Sequence, residues 1–206
     1  MAEYILASGS PRRKEILAQV GISFRVIKSD CEEVSSYSEP ENIVGELSRL
    51  KCLDVADKII AGKTDRGITG EDTIFVIGAD TMVSVDGIIM GKPRNQGHAY
   101  DMIKKIQGRD HTVHTGVSIA KLIFDGDNAY KIDTVKTFVE GSTVSVVPMT
   151  DDEINEYISG DEPYDKAGGY AVQGLFAKYI QGISGDFYNI VGFPVCRFLM
   201  EIKNFS

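Results

Sequence analysis

Apolar segments with the spacing of strands and of helices alternate along most of the chain. Ile74–Ile77 is a continuous apolar run rich in β-branched residues, which predicts a strand buried on both faces. Pro40–Gly62 carries apolar residues at helical spacing and predicts a long helix. The predicted strands are Tyr4–Ala7, Phe24–Ile27, Ile74–Ile77, Thr81–Val85, Ile88–Met90, Thr112–Phe124 and Ala129–Val146, and the predicted helices are Pro11–Val20, Pro40–Gly62, Asn95–Gln107, Thr150–Ser159 and a terminal helix that begins at Pro194.

This order of elements predicts an α/β fold with a mixed, elongated central sheet flanked by helices. Two connections stand out, a turn-rich loop over Lys63–Asp72 and a turn over Asp125–Asn128. The chain contains no repeat, linker or low-complexity tract, so residues 1–206 are expected to form a single domain.

Composition narrows the class of protein. A chain of 206 residues with 43% hydrophobic content can bury a sizeable core. The net charge of −8 argues against nucleic acid as a partner, and three scattered cysteines do not make a disulfide framework. The N-terminus lacks the pattern of a secretory signal, and no apolar stretch is long enough to span a membrane. A cytoplasmic protein without a membrane partner is therefore expected.

Two adjacent arginines occupy the first turn of the first predicted helix. Ser10 stands at the N-cap position, Pro11 follows, and Arg12 and Arg13 come next. A helix N-terminus carries about half a positive charge, so cations there are unfavourable unless an anion lies among them. A phosphate is the usual anion at such a place, and this interpretation is favoured over a solvated basic pair.

Charged residues also follow or flank several apolar segments. Asp80 comes directly after Ile74–Ala79, and the end of such a strand is where ligands bind in open α/β sheets. It is a candidate metal ligand or general base, with a turn-capping aspartate as the alternative. Lys51 lies on the rim of an apolar helix face, from which it points into a cleft or extends to solvent. Lys92 precedes a proline and projects from an extended segment, as an ordinary loop lysine also would.

Two polar regions complete the set of candidates. Glu33, one of two adjacent glutamates in a loop, is either solvated or delivered to a metal. The segment Asp161–Gly174 combines small residues with Gln173, whose amide suits the edge of a nucleotide base, although a plain glycine-rich connector has the same composition. His111 and His114 fall on opposite faces of a predicted strand and are expected to be structural.

Taken together, these segments resemble the Maf family of nucleoside triphosphate pyrophosphatases. The resemblance is collinear and extends from Leu6 to Pro194, so it covers nearly the whole chain. The matching motifs are LASGSPRR, GADT (Gly78–Thr81), GKP (Gly91–Pro93), HTVHTG (His111–Gly116), EPYDKAGGYAVQG and GDFYNIVGFP (Gly185–Pro194).

The resemblance implies a deep cleft between two lobes and hydrolysis of a nucleoside triphosphate to its monophosphate and pyrophosphate. A divalent cation, Mg²⁺ or Mn²⁺, is implied as cofactor, with its ligands unknown beyond Asp80 and Glu33 as the best candidates. The residues implied at the reacting atoms are Asp80 as catalytic base, Lys51, Lys92 and Glu33, and those implied in substrate binding are Ser8, Ser10, Arg12, Arg13, Thr81 and Gln173.

Within the family, the stretch DKAGGYAVQG is similar to the branch that acts on dTTP and UTP. The branch that prefers 7-methyl-GTP has a glutamate in place of Gln173 and is the alternative among enzymes. A nucleotide-binding regulator of cell division without turnover is a further alternative. Family members are often homodimers, so a homodimer is a possible assembly here.

Overall fold

The computed structural model describes residues 2–64, 73–125 and 129–205, and it confirms the alternating α/β order. The predicted loop Lys63–Asp72 and the predicted turn Asp125–Asn128 lie mostly outside these described residues. The strands are β1 (Ala2–Leu6), β2 (Arg25–Val26), β3 (Thr73–Val85), β4 (Ile88–Met90), β5 (Asp110–Phe124), β6 (Tyr130–Val146) and β7 (Ile180–Ser184), and the α-helices are α1 (Pro11–Gln19), α2 (Pro40–Ile60), α3 (Gln96–Ile106), α4 (Asp151–Ile158), α5 (Phe187–Val191) and α6 (Val195–Lys203).

One mixed sheet joins all the described strands, as the sequence predicted. Its order is β2-β1-β3-β5-β6-β7, and β4 pairs with β3 beside this path. β1 runs parallel to β2 and β3, whereas β5 and β6 are antiparallel to their neighbours. Because β3, β5 and β6 are long, the sheet is elongated and carries separate groups of helices along its length.

The position of Asp80 differs from the expectation. The sequence predicted two separate strands, Ile74–Ile77 and Thr81–Val85, with Asp80 after the end of the first apolar run, but both belong to β3 and Asp80 lies inside it. The strand continues because β5 pairs with it without interruption from Thr73 to Ser84. On its other edge, β1 pairs with β3 only as far as Ile77, and β4 pairs with it only from Val83. Asp80 therefore lies at a gap in the sheet edge, which opens this side of the strand to solvent.

The hydrophobic core changes composition at the same point. Before Asp80, β3 packs into two clusters that include Ile77 on one face and Val76 on the other. After it, Val83 and Val85 belong to a different cluster, built with α3 and α4. The long strands thus connect two lobes, and the gap beside Asp80 lies between them.

Helix α2 approaches β3 closely because Gly78 has no side chain. A Cβ atom at Gly78 would lie 2.1 Å from the Ser48 carbonyl oxygen and 2.7 Å from the Cys52 nitrogen. The close approach at Gly78 is thus made by the backbone of α2. This contact places Lys51, between Ser48 and Cys52 on the helix, against the middle of β3.

Gly78→Ala is expected to lower the free energy of unfolding by about 3 kcal/mol, because the new methyl group must push α2 away from the sheet. Urea denaturation of the purified variant measures the effect. Gly182→Ala is the matched control, since nothing lies within 4 Å of a Cβ atom at that strand position. Equal stability of the two variants would show that α2 does not depend on this close approach.

The glycine-rich last third contains more structure than the sequence predicted. Strand β7 pairs with β6, and the short helix α5 precedes the terminal helix, which was predicted correctly from Pro194. Three turns of 3-10 helix were also missed, at Glu162–Asp165, Ala167–Gly169 and Leu175–Tyr179. Among the described residues, no helix is both long and apolar enough to cross a membrane.

Candidate active site

A cleft of about 470 Å³ opens at the gap in the sheet edge beside Asp80. The loop before α1, the helix α2, the β4 region and the segment after α4 all reach it, so both lobes contribute. Its charged and polar lining residues are Ser10, Arg12, Arg13, Glu33, Lys51, Asp80, Thr81, Lys92, Asp165, Lys166, Tyr170 and Gln173.

The cleft is rich in positive charge although the protein as a whole is acidic. Three carboxylates, from Glu33, Asp80 and Asp165, line it within the described part of the chain. Five cationic side chains oppose them, those of Arg12, Arg13, Lys51, Lys92 and Lys166. In a chain of net charge −8, this local excess of cations favours a polyanionic ligand.

Lys51 connects two carboxylates at the centre of the cleft. Its Nζ donates to Asp80 Oδ1 at 2.6 Å and lies 3.0 Å from Glu33 Oε2. The side chains of Lys51 and Asp80 are each only 12% exposed, whereas that of Glu33 is 57% exposed. Lys51 therefore points into the cleft rather than outward, and the three residues form one charged cluster.

The loop that carries Glu33 is attached to α2 on both sides of that residue. Before it, Asp54 accepts hydrogen bonds from the Ser29 hydroxyl at 2.8 Å and from the Asp30 backbone nitrogen at 2.9 Å. After it, Glu46 accepts from the Ser36 backbone nitrogen at 3.1 Å. Helix α2 thus supplies Lys51 and also holds the loop that brings Glu33 to it.

The two adjacent arginines occupy different environments. Arg13 is buried: its Nε donates to the Gly192 carbonyl at 3.0 Å, and its Nη1 donates to the Ser8 hydroxyl at 2.9 Å. Its Nη2 donates to the Thr81 hydroxyl at 3.1 Å. Burial lowers the pKa of the Arg13 guanidinium, and the charge of Asp80 acts against this shift. Arg13 therefore joins three separate segments beneath the cleft.

Arg12 lies on the cleft side of the first turn of α1 and is partly exposed. Its Nη1 is 3.8 Å from Asp165 Oδ2, across the cleft, and a third of its side chain is exposed. Asp165 also pairs with Lys166, so one carboxylate contacts two cations. Both cations face the cleft, where a ligand carrying negative charge could replace the Asp165 contact.

The remaining predicted site residues lie partly in the lining of the cleft and partly beneath it. Thr81 faces the cleft on the side of β3 opposite Asp80, and its hydroxyl lies 2.9 Å from that of Thr115. Lys92 and Gln173 line the cleft with exposed side chains. Ser8 is buried beneath Arg13 and is not among the lining residues.

Ser10 occupies the N-cap position of α1, as predicted, but its side chain makes no capping hydrogen bond. Its backbone nitrogen instead donates to the Ser8 hydroxyl at 3.3 Å, and the residue lines the cleft. This arrangement leaves the Ser10 hydroxyl available to a ligand at the start of the helix.

Sequence analysis missed the apolar part of the lining, which includes Met82, Ile89 and Val172. Met82 shares a strand face with Asp80, so strand alternation from Asp80 would have found it. His111 is structural, as expected, because its Nε2 lies 2.6 Å from the hydroxyl of the buried Tyr170. Burial lowers the pKa of His111 to about 4.

Comparison with known proteins identifies the family of the chain. Residues 3–205 match the family model described as Maf-like protein. A dTTP/UTP pyrophosphatase of Lachnoclostridium phytofermentans is 45% identical over 206 residues, which cover 100% of this chain and 96% of that protein. A dTTP/UTP pyrophosphatase of Agathobacter rectalis is 41% identical over 205 residues, covering 98% of this chain and 97% of that protein.

Among solved structures, the Staphylococcus aureus Ham1 protein is 12% identical, with a TM-score of 0.45 and coverage of 99% of this chain and 100% of that one. The family model and the two relatives each span almost the entire sequence, and together they show that the chain belongs to the Maf family.

Proposed function

We propose that this protein is a nucleoside triphosphate pyrophosphatase that hydrolyses dTTP and UTP to the monophosphate and pyrophosphate. The observation that carries the proposal is the Lys51 cluster with Asp80 and Glu33, set in a cleft with an excess of cations. The names of the relatives at 45% and 41% identity support the same activity and substrates.

In this proposal the cationic residues hold the triphosphate. Arg12, Lys92 and Lys166 line the cleft and are placed to contact phosphate oxygens, which charge-assisted hydrogen bonds bind strongly. Lys51 adds a charge beside the reacting phosphate and stabilises the leaving pyrophosphate. Arg13 acts indirectly, since its guanidinium already donates to Ser8, Thr81 and Gly192.

Asp80 acts as the general base. Lys51 contacts its Oδ1, and its other carboxylate oxygen accepts a proton from the water that attacks the α-phosphorus. The attack breaks the bond between that phosphorus and the bridging oxygen, and the electron pair leaves with pyrophosphate. Because Gly78 and Gly116 have no side chains, α2 packs close against the sheet. The depth of α2 in turn sets the distance between Lys51 and this base.

The carboxylates fit a divalent cation. Mg²⁺ and Mn²⁺ take oxygen ligands, and Mg²⁺ is commonly held by one or two carboxylates together with substrate phosphates. Asp80 and Glu33 lie within 3.0 Å of the same Lys51 nitrogen, so both face one region of the cleft. The described residues contain no group of three or more His, Cys, Asp or Glu side chains that could hold a metal ion. When bound, it would neutralise charge on the phosphate oxygens.

Release of pyrophosphate from a panel of nucleotides tests the proposal. UTP and dTTP are expected to be hydrolysed faster than CTP, GTP or 7-methyl-GTP in the presence of Mg²⁺ or Mn²⁺, and EDTA is expected to stop the reaction. A preference for 7-methyl-GTP would instead assign the chain to the other enzymatic branch. A nucleotide-dependent rise in melting temperature without pyrophosphate release would indicate a regulator that binds without turnover.

Substitution of each arginine separately tests the division of roles between them. Arg12→Ala is expected to raise KM for UTP by about tenfold, through loss of a charge-assisted phosphate contact, with little change in stability. Arg13→Ala is expected to lower the free energy of unfolding by about 3 kcal/mol, because three acceptors lose their charged donor. Steady-state kinetics and urea denaturation of the two variants measure both effects. The opposite pattern would contradict the assignment.

A further inference from the structure

Glu162 is the acceptor for three hydrogen bonds at the base of the segment that carries Gln173. Its Oε2 accepts from the Leu175 backbone nitrogen at 2.7 Å. Its Oε1 accepts from the Phe176 backbone nitrogen at 3.3 Å and from the Tyr157 hydroxyl at 3.0 Å. The carboxylate is thus bound to the chain just after Gln173 and to helix α4 at the same time.

Gly174 allows this carboxylate to lie against the backbone. A Cβ atom at Gly174 would be 2.0 Å from Glu162 Oε2, closer than any side chain permits. The residue next to Gln173 therefore has to be glycine for Glu162 to occupy its position. Glu162 and Gly174 together fix where the chain turns after Gln173.

The start of the same segment is attached to the same tyrosine. The Tyr157 hydroxyl lies 3.3 Å from the Gly169 carbonyl oxygen as well as contacting Glu162. Burial and the neighbouring charge of Glu162 raise the pKa of Tyr157, so its hydroxyl stays protonated at physiological pH. Gly169 is thereby held by Tyr157 and Leu175 by Glu162, which itself contacts Tyr157, and Gln173 lies between these two attachments.

Gln173 itself lines the cleft with an exposed side chain. No hydrogen bond from its amide to any other described residue is present, so only the backbone of Gln173 is held, and the backbone sets the point from which the side chain extends. The amide can rotate to exchange its donor and acceptor at little cost, so its orientation selects poorly between bases. The depth at which the backbone holds it selects more strongly, because a purine needs more room than a pyrimidine.

We propose that Glu162 is a positioning residue for base selection: it holds the chain after Gln173 at the depth that admits a pyrimidine and disfavours a purine. This inference rests on the proposed function, together with the contact between Gln173 and the base that the sequence analysis expects. Glu162 does not touch the substrate, and its effect reaches the cleft through the backbone of Gly174 and Leu175.

The test compares kcat/KM for UTP and for GTP in the wild type and in Glu162→Ala, Glu162→Gln, Tyr157→Phe and Gln173→Ala. Glu162→Ala is expected to lower the preference for UTP about tenfold, mainly through a higher KM for UTP. Glu162→Gln retains one oxygen acceptor and is expected to recover part of the preference. Tyr157→Phe removes one donor to Glu162, and it gives a second, milder perturbation should Glu162→Ala fail to fold.

Glu153→Ala is the matched control. Glu153 is also a carboxylate that accepts a backbone hydrogen bond, from Thr150 at 2.8 Å, at the other end of helix α4 and away from the cleft. Both alanine variants are expected to lower the melting temperature by a few degrees. Of these two variants, only Glu162→Ala should change the ratio of UTP to GTP turnover, since a purely structural role would leave that ratio unchanged.

The outcomes separate this inference from the one on which it rests. If Gln173→Ala lowers the preference but the Glu162 and Tyr157 variants do not, the positioning role is wrong and the proposed function stands. If Gln173→Ala also leaves the preference unchanged, Gln173 does not select the base and the inference is overturned, whereas the proposed function fails only if the wild type does not prefer UTP. A graded loss, largest in Gln173→Ala and smaller in Glu162→Gln than in Glu162→Ala, supports the inference.

Discussion

Asp80→Asn is expected to lower kcat for UTP hydrolysis by about a thousandfold, with folding and nucleotide binding retained. Asparagine has the shape of aspartate, but its amide cannot take a proton from the attacking water. Lys51 can still donate to the side-chain oxygen that replaces Oδ1, so the packing of α2 on β3 is preserved. Single-turnover kinetics with excess enzyme measure the chemical step directly.

Asp165→Asn is the matched control for this variant. Asp165 is also a carboxylate of the cleft, but it contacts Arg12 and Lys166 rather than Lys51. Its loss is expected to change KM, because two cations lose their partner, and to leave kcat within severalfold of the wild type. Wild-type turnover by Asp80→Asn, or an equal loss in both variants, would remove Asp80 from the role of base.

Lys51→Met is expected to lower kcat/KM by about a hundredfold or more. Methionine fills a similar volume, so the main change is the loss of one positive charge from between two carboxylates. Asp80 and Glu33 then repel each other and the phosphates, which weakens substrate binding as well as the chemical step. Steady-state kinetics over a range of salt concentrations separate the two effects, because screening relieves the repulsion in binding.

Lys58→Met offers a closely matched control on the same helix. Lys58 likewise contacts two carboxylates, at 2.9 Å from Asp30 and 2.8 Å from Asp54, but it lies outside the cleft. Its replacement removes the same charge from the protein with no phosphate nearby. Similar losses of activity in the two variants would mean that net charge, rather than the position of Lys51, governs the rate.

Local patterns predicted the helix that carries Lys51 and the succession of strands along the chain, because each of these elements shows its own periodicity. The end of the strand at Asp80 was not predictable in this way. Gly78 and Ala79 look like the end of a strand, but β5 continues to pair past them. The gap beside Asp80 arises because β1 stops pairing at Ile77 and β4 starts at Val83. Where β1 stops pairing cannot be read from the β3 segment, since β1 is distant from it in sequence.

The different roles of the two arginines also depend on contacts that a local pattern does not contain. Helix geometry turns Arg12 and Arg13 to different directions, but sequence alone does not say which side is buried. That depends on Thr81 and Gly192, which come from β3 and from the end of α5 and which accept hydrogen bonds from Arg13. The segment that carries Gln173 was equally hard to predict, since the acceptor role of Glu162 depends on a hydrogen bond across 13 residues of irregular chain.

The identity of the products formed from UTP tests the central claim most directly. Purified wild-type protein is incubated with UTP and Mg²⁺, and the products are separated by anion-exchange chromatography beside an Asp80→Asn sample. The account predicts UMP and pyrophosphate in equal amounts from the wild type and almost none from the variant. Formation of UDP and phosphate, or equal amounts of UMP from both proteins, would contradict it.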